Sequence, residues 1–277
     1  MEEKPTDSGR EFRLLLITFL GYGLFYGLSQ ISGNATFPVT FWIPELNKQV
    51  TIGIPWESWL SIFITGAGFA VLLMKLFDEI FLSEKSTVKT RVTGSTIRIT
   101  RDIFVFIVAL YVLGNAVHEV IKFVGYMLPS TPIDLSNQAY ANLYYYIYFY
   151  HEYFGHIMFS IPLMIFLTIF AFAFIFEPPS RKLRWYEWLL IFGIGIGFGA
   201  VWVEGWAEGE CQLVNAIYDI GLLVAIGIVV KKQKVALRSH PFVCAVAVEA
   251  ISFIVGVIIW GLVFGLLPYY PFFKEPP

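Results

Sequence analysis

Charge is scarce in this chain of 277 residues, where Asp, Glu, Lys and Arg together make up 14%. So low a share, beside 57% hydrophobic residues, excludes both a disordered polymer and an ordinary soluble domain. Cysteine is nearly missing as well. Cys211 and Cys244 are the two present, and the topology derived below sets them near opposite membrane faces, so no disulfide framework is expected. No cleavable signal is evident, since positions 1–11 mix acids with Lys4 and Arg10 and the first apolar run is long enough to span. No internal repeat is visible. No soluble segment exceeds about 25 residues, too short to build a core of its own, so residues 1–277 read as a single transmembrane domain.

Long hydrophobic runs are what the chain has in plenty. Its mean hydropathy is +0.68, and seven apolar stretches can be marked at 12–32, 57–82, 102–127, 141–177, 185–204, 211–230 and 242–267. Each reaches or approaches the ~20 residues an α-helix needs to cross a bilayer. The fold class expected is therefore all-α, a polytopic bundle of seven transmembrane helices. The loops alternate in charge. Segments 83–101, 178–184 and 231–241 hold Lys85, Lys89, Arg91, Arg98, Arg101, Arg181, Lys182, Arg184, Lys231, Lys232, Lys234 and Arg238. The loops between them hold Lys48 alone. The positive-inside rule then places the N-terminus in the cytoplasm and the C-terminus outside, in a multi-pass protein of the cell membrane. The basic loops are short and topological, so lipids rather than nucleic acid are the expected partners.

Against this background the rare ionisable residues carry the information. His118, His151 and His156 fall in or beside apolar segments, with Glu119, Glu152, Glu204, Glu208 and Glu210 near the same end. Polar groups at membrane depth are costly and default to a functional hypothesis. Glu152 and His156 are four apart and share a helical face. His151 lies about 140° round a regular helix from His156, so both serve one ion only if the helix is distorted at Gly155. The ligand set expected is His118, Glu152, His156 and Glu204 or Glu208, suited to a divalent zinc or iron ion. Glu119, His151 and Asn215 are placed behind these ligands, and Glu119 and Glu208 are the candidate general bases. His151 to His156 reads H-E-x-x-x-H, one residue longer than the H-E-x-x-H of zinc proteases, so no metalloprotease is read here.

The function this favours is a metal-dependent membrane enzyme, hydrolase or oxidoreductase, acting on a lipid or isoprenoid-type substrate. Haem-based electron transfer and cation transport through a polar vestibule are the competing readings. Other expectations are structural. Lys75 and Glu249, each about seven residues from the same membrane face, should form an ion pair. His240 should be solvated in a basic loop. Lys122 should either offset the acidic cluster or snorkel outwards. Gly23, Gly27, Gly193, Gly195, Gly197 and Gly199 should let helices approach. Residues 33–56 should form an irregular cover over the bundle mouth, and Asn34 starts a glycosylation sequon.

Overall fold

Among the described residues, seven helices are long and apolar enough to cross a membrane. They are α1 (Arg10–Ser29), α2 (Trp56–Leu82), α3 (Gly94–Tyr126), α4 (Gln138–Ile175), α5 (Trp185–Glu208), α6 (Gln212–Gln233) and α7 (Pro241–Phe264). The computed structural model describes residues 9–32, 35–44, 47–126, 137–177, 182–208 and 212–264. Asn34 and Cys211 lie outside these. Apolar side chains face outward along the bundle, as with Leu20, Phe106, Leu189, Ile217 and Leu262, the last 79% exposed. That is the reverse of a soluble surface and suits a lipid-facing one.

The core runs along α7, where Phe242, Val243, Ala245, Val246, Ala250 and Phe253 are fully buried. Helix α5 lies against it through Gly195 and Gly199, one turn apart. A β-carbon added at Gly199 would sit 2.6 Å from Ser252 Cβ and 2.7 Å from the Glu249 carbonyl oxygen. Gly193 and Gly197 on the opposite face meet nothing within 4 Å, and nor do Gly23 and Gly27. Of the expected small-residue contacts, only the Gly195–Gly199 pair brings backbones together.

Two segments differ from expectation. Residues Thr36–Ile43 (β1) and Lys48–Pro55 (β2) form an antiparallel hairpin where an irregular loop was expected. Alternating Thr, Val, Ile and aromatic residues favour strands, and Asn47 takes the left-handed conformation that the turn needs, with φ 47°. The basic segment 83–101, expected as a loop before the apolar stretch at 102, is also largely helical. A short helix spans Val88–Arg91, and α3 starts at Gly94, where the Thr93 hydroxyl accepts a bond from the Thr96 amide at 3.3 Å.

The end of the bundle that holds the basic loops is closed by ion pairs, buried between Arg10 and Glu177 and partly exposed at Glu79. The Arg10 guanidinium donates to Glu79 Oε1 and to Glu177 Oε1, each at 3.2 Å, and to the Glu79 carbonyl. Glu177 also accepts from the Thr87 hydroxyl at 2.7 Å and the Thr87 amide at 3.1 Å. Beside it, Glu11 lies 3.3 Å from His240 Nδ1 and accepts from the Phe242 amide at 2.9 Å. His240 is therefore buried rather than solvated. Buried charges persist only when paired, and here they tie α1 to the ends of α2 and α4 and to the start of α7.

The expected Lys75–Glu249 ion pair does not form. Lys75 is exposed on α2 while Glu249 is buried on α7. Equal depth was the only ground for joining them, and depth does not fix which way a helix face points. Lys75→Ala should accordingly shift stability by no more than about 0.5 kcal/mol, as for an ordinary surface change, read as an unchanged thermal midpoint in detergent. A fall of several degrees would mean that Lys75 has a buried partner after all.

Candidate metal centre

Three histidines meet at the end of the bundle opposite the basic loops. One ligand atom from each of His118, His151 and His156 lies within 4.8 Å of the other two. The His118 and His151 rings stack with centroids 4.6 Å apart, and His156 stands edge-on to His118 at 4.6 Å. His156 is buried and the other two are half-buried.

The local fold explains why His151 is there. Helix α4 is not regular: from Phe149 to Gly155 it is a π-helix, with α-helix on both sides. In i→i+5 bonding the turn widens, so residues five apart, such as His151 and His156, come onto one side. The 140° offset that set His151 aside belongs to a regular α-helix and does not apply. Helix α2 has π-helical stretches as well, at Ser61–Gly68 and Asp78–Leu82, so the segment in α4 is marked out by the histidines it brings together and not by its winding alone.

Close helix packing then delivers His118. A β-carbon added at Gly114 of α3 would stand 2.4 Å from the Met158 carbonyl carbon and 2.5 Å from the Phe159 amide nitrogen of α4. One at Gly155 would stand 2.9 Å from His118 Cβ. Gly114 and His118 are four apart and share one face of α3. That face lies directly on the π-segment, which is why His118 reaches both histidines. Phe159 walls the site, 5.8 Å from the His118 and His156 rings.

Behind the rings stand polar supports. The buried Glu119 carboxylate lies 3.5 Å from His118 Nδ1, and Ser61 of α2 also reaches it. With Nδ1 facing a carboxylate, Nε2 is left to ligate, the usual outer arrangement of a metal-bound histidine. Asn115, 5% exposed, adds a further polar group between α3 and Gly66 of α2. Lys122 pairs with Glu57 at 3.0 Å, an acid outside the expected cluster. The backbone of Gly205 reaches His156 from α5, which sets the end of α5 beside the cluster. The side chains of the expected ligands Glu152, Glu204 and Glu208 lie outside the described residues, as does Glu210.

The donor set fits a borderline transition metal. Imidazole nitrogens suit zinc, copper, iron or nickel and are poor ligands for calcium or magnesium. Nitrogens bound to tetrahedral zinc at about 2.0–2.1 Å lie roughly 3.4 Å from one another, so a separation within 4.8 Å needs only a small inward turn of the rings. Three imidazole nitrogens leave the rest of the coordination shell to a carboxylate, a water or a substrate, as catalytic rather than closed structural zinc sites do.

Comparison with protein-family models, with curated proteins and with solved structures finds no match to this chain. The site is therefore read from its own residues.

Proposed function

We propose that this chain is a multi-pass membrane protein of the cell membrane whose His118, His151 and His156 hold a zinc or iron ion at the outer face, and that it acts as a metal-dependent enzyme on a lipid-like substrate. The observation that carries this reading is the convergence of three imidazoles brought about by a π-helix. The basic-loop pattern supports the orientation, with the histidine end outside. A bound metal would act there as a Lewis acid towards a substrate oxygen or a water.

The protein's own groups have distinct tasks in this scheme. Glu119 fixes the His118 ring and keeps its Nδ1 hydrogen-bonded, a positioning role. Glu208, near the end of α5, is the proposed general base, and Glu152 or Glu204 is the proposed carboxylate ligand beside the three imidazoles, with a further position left to water or substrate. The half-buried rings His118 and His151 give access from the outer layer, and the apolar outer surface of the helices lets an amphiphile arrive from lipid. A haem between His118 and His151 is disfavoured, because rings stacked 4.6 Å apart leave no slot for a macrocycle.

Glu119→Gln should lower metal affinity by ~10–100-fold while leaving the three ligands in place, the usual effect of losing an outer-layer partner. A chelator competition with zinc reads this directly. The enzymatic reading is tested by incubating metal-loaded and metal-stripped protein in vesicles of total polar lipid and comparing the lipids by mass spectrometry. A product formed by the loaded protein alone is expected. Identical lipid profiles would contradict the enzymatic part, and failure of the stripped protein to take up zinc or iron would contradict the whole.

A further inference from the structure

Asp219 of α6 and Glu249 of α7 are buried carboxyl groups that the histidine centre does not use, 1% and 6% exposed. Asp219 lies seven residues from the start of α6 at the histidine end, and Glu249 eight residues from the opposite end of α7. Each helix needs ~20 residues to cross the hydrocarbon, so both acids lie inside it. The two helices that carry them, α6 and α7, pack against one another.

Among the described residues no fixed cation is placed to neutralise them. Helices α4, α5 and α7 contain no lysine or arginine. Lys231 and Lys232 stand at the far end of α6, Arg10 is held by Glu79 and Glu177, and Lys75 faces outward. Tyr218 of α6, bonded to Thr168 of α4 at 2.7 Å, stands beside the pair, while Cys244 of α7 turns to the Leu237 carbonyl at the basic-loop end. His156 of α4 stands at the histidine end and Glu187 of α5 at the other. Two carboxylates in such surroundings cannot both stay ionised without a counter-charge.

A second observation concerns amides. Asn215 lies one turn before Asp219 on the same face of α6, is 1% exposed, and its Oδ1 has no hydrogen-bond partner among the described residues. Asp219 Oδ2 has none either. Gln212, fully buried at the start of the helix, has both amide atoms unpartnered. Two buried acceptor oxygens on one helix face, neither with a partner among the described residues, call for a donor. A proton on Asp219 turns one of them into a donor and removes a buried charge in the same step.

We propose that Asp219 and Glu249, with Asn215 and Gln212 leading to them, form a proton-binding site inside the bundle that is separate from the histidine centre and exchanges with the aqueous layer at the histidine end. A proton from that layer binds Asp219 Oδ2, which then donates towards Asn215 Oδ1. Passing on, it leaves Asp219 as carboxylate and makes Glu249 the acid. The amides relay hydrogen bonds without changing charge. This site needs no metal, so its test stands apart from that of the histidines.

The experiment uses the full chain in lipid nanodiscs. Infrared difference spectra between acid and alkaline buffer read protonated carboxyl groups, and dicyclohexylcarbodiimide, which modifies protonated carboxyls in apolar settings, is followed by peptide mass spectrometry. The expected result is a carboxylic-acid band that disappears in alkali, is lost in Asp219→Asn and weakened in Glu249→Gln, with carbodiimide attached at Asp219 or Glu249. Asn215→Leu should keep the band but slow its exchange. If Asp219→Asn does not fold, Glu249→Gln and the labelled position give the answer. A band that persists at every pH would make the pair a fixed structural contact and overturn the proposal. So would the absence of band and label in the folded wild type, or protection from the label by sodium or calcium at constant pH, which would mean a bound cation instead.

Discussion

Replacing His151 with alanine is expected to strip the metal as completely as replacing His118 or His156. Loss of a partner behind a ligand already weakens binding by ~10–100-fold, and loss of one of the three histidine ligands should exceed that. Metal content per purified chain should fall below about a tenth of the wild-type value in each variant. His240→Ala is the control: that histidine is buried against Glu11 at the opposite end, so its loss should lower stability and leave the metal in place. The result separates two structures of one segment. In a regular α-helix His151 would point away from His156 and its removal would matter little; in the π-helix of Phe149–Gly155 it lies beside His156 and His118.

The second large effect is expected at Gly114. Alanine there would drive its β-carbon to 2.4 Å from the Met158 carbonyl carbon, and backbone cannot turn aside as the end of a side chain can. The helices must separate, which for overpacking costs typically 1–3 kcal/mol, and the shift would carry His118 away from the π-segment. Gly114→Ala should therefore show both a lower thermal midpoint and reduced metal content. Gly23→Ala, where nothing lies within 4 Å, should change neither. Gly155→Ala is the informative intermediate. Its β-carbon would press on His118 Cβ at 2.9 Å, so metal should be lost with less damage to the fold than at Gly114. Equal behaviour of Gly114→Ala and Gly23→Ala would contradict the packing described.

The seven spans were legible because apolar length is a one-dimensional property that survives without knowledge of neighbours. Depth was legible for the same reason, and it brought His118 and His156 into one layer. Rotation was not. Lys75 and Glu249 share a depth, yet one faces outward and the other inward, and no count along the chain distinguishes those outcomes. His151 failed on rotation too, since a helical wheel assumes the period that the π-segment breaks. Gly155 was the one available hint, a residue without a β-carbon at the point where distortion was required. The buried network of Arg10, Glu79 and Glu177 was missed because its members are 69 and 167 residues apart. Its signal was faint: Arg10 and Glu11 sit just ahead of an apolar run, where charges are expected to reach water. The hairpin at 36–55 was hidden by its prolines, although Pro38 and Pro55 fit a two-stranded sheet that leaves both strands at an edge.

The most direct test of the metal centre is X-ray absorption at the metal edge of protein purified from membranes without added metal. The account predicts zinc or iron in near-stoichiometric amount, with three imidazole nitrogens at about 2.0–2.1 Å if the metal is zinc. Each of His118→Ala, His151→Ala and His156→Ala should abolish that signal. A metal-free protein that also takes up neither ion on addition, or a spectrum of oxygen ligands without imidazole, would contradict it.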